Sequence, residues 1–172
     1  IDNAYRRRWV KNLKSDTAIK IASFSDRKKF LKKINKNNDY LNFDLTNFKK
    51  VDYIIKKNKF DLIFNLAAQP SAPFSIISAE HCNFTQNNNN QILRNFIWAL
   101  KKNNKEKTCF VHTTTTGTYG TPNFPIPEGF LKVKNKKYLF GHMAGSWYHN
   151  SKCHDTTNLH FANRIWNMNI HD

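Results

Sequence analysis

Several features common in proteins are missing or scarce in this chain of 172 residues, and each gap narrows what it can be. Three cysteines, Cys82, Cys109 and Cys153, form an odd set without a Cys-x-x-Cys pair. That excludes a disulfide framework and a thiolate zinc site, and it predicts reduced, mostly buried thiols in a cytoplasmic protein. Histidines lack metal spacing, since His149, His154 and His160 are five and six residues apart and do not share a tight helix face. No apolar run approaches the roughly 20 residues of a membrane span, and the first residues carry no signal-peptide pattern. Glycine is scarce at five, and none of it forms a Gly-x-x-Gly-x-x-Gly turn of the kind that cradles a pyrophosphate. Arginine is scarcer than the charge suggests: six against 22 lysines.

That last shortage bears on the net charge of +16. A strongly basic chain suggests nucleic acid or an anionic surface. Yet the lysines scatter through 28–36, 49–59 and 101–107 instead of forming one stripe, and arginine is the usual bidentate reader of bases and phosphates. Abundant Lys, Asn, Ile and Phe fit the codon usage of an AT-rich genome. Solvated helix faces are the simpler reading, with no nucleic-acid and no membrane partner; a basic, non-catalytic binding module is the competing one.

What is present is an alternation of short apolar runs and helical segments. Tyr40–Leu45 is strand-like and precedes a helical pattern over 47–58. Phe60–Leu66 is a second strand, followed by a loop with Pro70 and Pro73 and a long helix from about Ile77 to Asn103. Thr108–Thr113 is a third strand, running into Thr114-Thr115-Thr116-Gly117. A proline-rich loop spans Pro122–Pro127, and Gly145–Met168 is helical. This order predicts one α/β domain, a doubly wound parallel sheet of the Rossmann type with helices on both faces. Ligands of such sheets lie beyond the carboxyl ends of the strands. Those ends are Asp2-Asn3, Asp44-Leu45, Ala67-Ala68 and Thr113–Thr116. An acid at a strand end, such as Asp2, suits a ribose diol, and Asp44 beside Leu45 suits the edge and face of an adenine.

Tyr148-His149-Asn150-Ser151-Lys152 places a phenol and an ammonium at i and i+4, on one face of the last helix. A free phenol, with a pKa of about 10, is a poor base at neutral pH. A cation held beside it favours the phenolate and makes proton abstraction from a hydroxyl feasible.

Longer motifs carry a resemblance. They include Gln69-Pro70-Ser71-Ala72-Pro73-Phe74-Ser75, Thr85-Gln86-Asn87-Asn88-Asn89, Gly117-Thr118-Tyr119-Gly120-Thr121-Pro122-Asn123, Glu128-Gly129, and Trp147–Lys152 with His154-Asp155. Through them the chain resembles the extended short-chain dehydrogenase/reductases that act on nucleotide sugars, the NAD-dependent epimerase/dehydratase family. Within it the motifs sit nearest the members that add sulfite to a UDP-sugar. The resemblance implies NAD as cofactor, a UDP-sugar and sulfite as substrates, and a homodimer through the two long helices. It implies Tyr148 as general base, Lys152 as its electrostatic partner and ribose ligand, and Thr115 as the hydroxyl on the reacting oxygen. His149 would serve later proton transfers. On the cofactor side it implies Asp2, Asn3 and Arg6 at the adenosine ribose, Asp44 and Leu45 at the adenine, Ala67, Ala68 and Gln69 beneath the pyrophosphate and ribose, and Asn88 on the long helix.

Two departures refine the expectation. Thr115-Thr116-Gly117 stands where 4,6-dehydratases of the family carry Thr-Asp-Glu, which argues against a plain dehydratase and leaves a 4-epimerase as the alternative chemistry. Pro70 stands where the sulfite-using members carry an Arg. The opening on Ile1-Asp2-Asn3, without Met or a Gly-rich turn, predicts a piece of a longer chain that binds NAD weakly by itself.

Overall fold

A computed structural model describes residues 1–121, 125–126, 130–139 and 142–172. Pro122, Asn123, Glu128 and Gly129 of the quoted motifs lie outside the described residues. Three short strands, β1 (Leu62–Asn65), β2 (Cys109–His112) and β5 (Ile170–His171), form a parallel sheet in the order β1-β2-β5. A separate antiparallel pair, β3 (Phe130–Val133) and β4 (Lys136–Leu139), turns at Lys134-Asn135. Both turn residues have positive φ, 46° and 62°, the geometry that two-residue hairpin loops require. Sequence patterning left this hairpin unassigned.

Register decides what shares a face. Ile63 pairs with Phe110 and Asn65 with His112, so these four side chains point to the same side. Asn65, Phe110 and His112 are buried there, whereas Leu62 and Phe64 stand 45% and 61% exposed on the other. Among the described residues one face of the sheet is covered and one is open, as in an incomplete doubly wound sheet.

Covering that buried face are α3 (Phe48–Lys57), α5 (Ala79–Lys102) and α6 (Trp147–Trp166), with α5 packed against both of the others. Their boundaries follow from local chemistry. Asn47 caps α3 by accepting from the Lys50 N–H, and Val51 and Ile55, four apart, carry its buried stripe. Ser78 caps α5 and Ser146 caps α6, accepting from the His81 and His149 amides. Helix α6 ends on Asn167 in the left-handed region, φ 51°, a conformation asparagine tolerates better than most residues. The core gathers Ile92, Leu93, Phe96 and Leu100 of α5 against Phe110, Leu159 and Met168. Phe96 and Phe110 meet at 5.5 Å between ring centres. Shorter helices are α1 (Tyr5–Asn12), α2 (Phe24–Ile34) and α4 (Ala72–Ser75).

Two expectations need correction. Tyr40–Leu45 is not a strand, and Ile1–Asn3 does not end one. A strand needs a ladder partner. These two segments share a backbone bond, from the Asp2 N–H to the Leu41 carbonyl at 3.1 Å, but neither joins β1. Asp44 instead closes a turn, accepting from the Thr46 N–H and hydroxyl at 2.8 and 2.7 Å. The thiols are also less buried than expected: Cys153 is buried, but Cys82 and Cys109 are only partly so.

Candidate active site

The residues singled out from the sequence collect into two groups joined by a polar seam. The first surrounds a cavity of about 610 Å³ between β1 and the segments 1–9 and 43–45. Asp2, Asn3, Arg6, Leu45, Ala67, Ala68 and Asn88 all line it. Asp44 is tied in behind them, accepting from the Asn3 amide at 3.2 Å. The Asp2 carboxylate is partly committed already, to the Ala4 N–H at 2.7 Å and to Arg27 at 3.1 Å. Much of the remaining wall is apolar, with Phe43, Ile54, Phe60, Phe64 and Phe96 among its residues.

The seam runs from that cavity into α6. Asn88, lining the cavity, donates to the Asn89 side-chain oxygen at 3.1 Å. Asn89 accepts from the Gln69 N–H at 2.7 Å, returns a bond to the Gln69 carbonyl at 3.2 Å and donates to the Ser151 hydroxyl at 3.0 Å. Gln69 therefore sits behind the cavity wall, held by α5, and does not line it. The asparagine run, a compositional bias when seen as sequence, supplies this buried clamp between the loop after β1 and the residue before Lys152.

The second group lies where β2 ends against the first turns of α6. Thr115 opens a 3-10 turn, Thr116–Tyr119, its hydroxyl accepting from the Gly117 N–H at 3.2 Å. Three neighbours fasten this stretch to α6. Lys152 donates to the Thr113 carbonyl at 2.9 Å, the Cys153 thiol approaches the Thr118 carbonyl at 3.8 Å, and the His149 ring lies flush against Gly117. That last contact explains the glycine: a Cβ there would fall 2.4 Å from His149 Nε2. Tyr148 is half-buried, its N–H donating to the Ser75 hydroxyl of α4 at 3.0 Å and its ring 5.3 Å from that of His149. Thr115, Tyr148, His149 and Lys152 thus belong to one corner of the fold, and none of them lines the cavity.

The electrostatics of that corner differ from those of an isolated phenol–ammonium pair. Lys152 is 1% exposed, and its ammonium lies 3.5 Å from Asp155 Oδ2 and 3.2 Å from His112 Nε2. Burial pulls the ammonium below its ordinary pKa, and the Asp155 carboxylate opposes that fall. The Tyr148 phenol is pushed up, first by burial and then by the Asp155 charge. Much of the lysine's charge is thus spent on Asp155. Sequence reasoning quoted Asp155 within a motif but gave it no role, and it passed over His112 and Asn65. The available signals were the i,i+3 spacing of Lys152 and Asp155 and a histidine at a strand end.

Comparison with known proteins places this geometry. The family described as GDP-mannose 4,6 dehydratase matches residues 2–168. The chloroplastic UDP-sulfoquinovose synthase of Spinacia oleracea is 31% identical over the whole chain, and the UDP-sulfoquinovose synthase of Sulfolobus acidocaldarius is also 31% identical over all of it. The chain spans 36% and 45% of the lengths of these two relatives. Among solved structures, the UDP-Glc/GlcNAc 4-epimerase of Campylobacter jejuni superposes with a TM-score of 0.64 at 20% identity, covering 81% of this chain and 38% of that one. The UDP-glucuronic acid 4-epimerase of Bacillus cereus, in complex with NAD, gives 0.65 at 17% identity over 87% of this chain and 42% of the other. These likenesses establish the α/β fold.

Proposed function

The chain belongs to the GDP-mannose 4,6 dehydratase family of NAD-dependent epimerases and dehydratases, and from that premise we infer that it carries the catalytic corner of an enzyme that modifies a UDP-sugar by transient oxidation, resembling the sulfoquinovose synthases. One observation carries the reading: the turn holding Thr115 is fastened to the Tyr148–Lys152 turn of α6 at the carboxyl end of a parallel sheet. That is where α/β sheets bind ligands.

The residues present suit one part of NAD better than another. A carboxylate, an amide and a guanidinium (Asp2, Asn3, Arg6) stand at a cavity with apolar walls, which suits an adenosine. No glycine is among the described residues that line it, so these residues do not build the close backbone approach that a pyrophosphate uses. When bound, the nicotinamide supplies the hydride acceptor. This chain's residues handle the proton. Tyr148 takes it from the sugar 4-hydroxyl, with Thr115 donating to the same oxygen as charge develops on it. Lys152 offsets the phenolate, and His149 stands beside Tyr148 for a further proton transfer. A 4-ketone would acidify the neighbouring C5–H, which would make loss of water across C5 and C6 feasible and open C6 to sulfite; bound NAD would supply the hydride for the final reduction at C4.

A second reading, a UDP-sugar 4-epimerase, rests on Pro70. This residue is exposed and offers no guanidinium where the sulfite-using members carry one. Incubating the complete gene product with NAD, UDP-glucose and sulfite separates the two. A sulfonated sugar nucleotide in the mass spectrum supports the synthase, UDP-galactose alone supports the epimerase, and no change in sugar with NAD bound overturns both.

A further inference from the structure

Four buried side chains from three elements form a chain of contacts that the proposed chemistry does not require. Asn65 ends β1, His112 ends β2, and Lys152 and Asp155 lie one turn apart on α6. All four are at most 2% exposed. The Asn65 amide lies 2.9 Å from His112 Nδ1; His112 Nε2 lies 3.1 Å from Asp155 Oδ2; and Asp155 Oδ2 lies 3.5 Å from Lys152 Nζ.

Hydrogen-bond logic fixes the protons along this line. The Asn65 side-chain oxygen accepts from the Ala67 N–H at 3.3 Å, so its NH₂ faces the imidazole. An NH₂ can only donate, which makes His112 Nδ1 the acceptor and puts the ring proton on Nε2. Nε2–H then donates to Asp155. The Lys152–Nε2 approach at 3.2 Å cannot be a hydrogen bond in this tautomer, because both atoms carry protons. The ammonium is held instead by the Thr113 carbonyl and the Asp155 charge.

We propose that Asn65, His112 and Asp155 form a buried relay whose task is to position Lys152: Asn65 sets the His112 tautomer, His112 orients the Asp155 carboxylate, and Asp155 holds the Lys152 side chain and aims it along the end of β2. These are positioning residues, because they act on the site through Lys152. The role given to Lys152 rests on the proposed function, but the relay itself needs neither cofactor nor sugar. Asp155 Oδ1, buried without a hydrogen-bond partner among the described residues, marks the cost of the arrangement: one oxygen is left unsatisfied so that the other can serve both His112 and Lys152. Other titratable groups in the corner of Lys152 are the Tyr148 phenol, the His149 imidazole and the Cys153 thiol on its own helix and His112 on β2. The adjoining α5 seam is neutral, through Asn88 and Asn89.

Nitrogen-15 spectroscopy of the 172-residue chain tests this without any variant. The expected result at neutral pH is His112 with a bare Nδ1 and a protonated Nε2. The Nδ1–H tautomer or an imidazolium overturns the relay. Titrating the Lys152 side-chain resonances gives the second readout: Asp155→Asn should lower the Lys152 midpoint by about one pH unit or more, while the backbone spectrum shows the fold retained. A merely structural Asp155 would leave that midpoint unmoved, and an unmoved midpoint overturns the positioning role. Should Asp155→Asn fail to fold, the tautomer in the unaltered chain still decides. Failure of hydride transfer in the complete gene product, with the tautomer as expected, would instead refute the proposed function and spare the relay.

Discussion

Removing one charge from the corner beneath Tyr148 has a cost whose dependence on pH is set by the structure. In Asp155→Asn the Lys152 ammonium, 1% exposed, loses its counter-ion 3.5 Å away. Breaking a buried ion pair from one side costs about 3–5 kcal/mol, because the surviving charge stays desolvated and unpaired. The amide oxygen of Asn can still accept from His112 Nε2–H, which places the expected cost near 3 kcal/mol. For a chain of this length that corresponds to a fall in Tm of about 6–12 °C. The sign with pH follows from the lysine. Its pKa is already lowered by burial, and loss of the Asp155 charge lowers it further. Between that lowered value and the unfolded value of about 10.4, the unfolded chain binds more protons than the folded one, so stability rises with pH. The penalty is therefore full below the folded pKa and is relieved as pH rises towards the unfolded one. Urea denaturation at pH 7 and at pH 10 should show the gap between variant and parent shrink by more than half. An equal gap at both pH values, or a cost at pH 7 under about 1 kcal/mol, would refute the reasoning.

Further outcomes follow from the same geometry. Asn89→Ala removes the acceptor for the Gln69 N–H and the donor to Ser151; leaving these buried groups unpaired should cost about 2–3 kcal/mol in urea denaturation. Gly117→Ala drives a Cβ into the His149 ring, and the Tm should fall by several degrees and recover in the Gly117→Ala/His149→Ala pair, where the obstructing ring is gone. The Tyr148 phenol, raised by burial and by Asp155, should ionise above pH 10 in an ultraviolet titration of the NAD-free chain compared with Tyr148→Phe. Because an acid with a raised folded pKa stabilises the fold only below its unfolded value, that contribution is present up to about pH 10 and lost above it. Calorimetric titration of the 172-residue chain with NAD should show weak binding, about millimolar or less tight, since no glycine lines the cavity among the described residues.

Much of this was legible in the sequence because it rested on spacing. The strands β1 and β2, helices α3, α5 and α6 and the Tyr148–Lys152 pair all follow from short-range periodicity and caps. The segment 40–45 failed because its alternation fits a strand, while pairing depends on a neighbour that local pattern does not reveal. The hairpin at Lys134-Asn135 was missed because lysine is not a usual residue for positive φ. Asn65, His112 and Asp155 were passed over for another reason: their meaning lies in a register, Asn65 opposite His112 across β1 and β2, that exists only once the sheet is built. The effect of Lys152 on Tyr148 was likewise judged from spacing alone, without the carboxylate that competes for the ammonium.

The most direct test of the enzymatic account is the fate of hydrogen at C4. The complete gene product, given NAD and UDP-glucose deuterated at C4, should reduce bound nicotinamide in a single turnover and keep the deuterium at C4 of the released product, and Tyr148→Phe, with the fold intact, should show neither nicotinamide reduction nor product. Deuterium washed into solvent, or nicotinamide reduction undiminished in Tyr148→Phe, would contradict it.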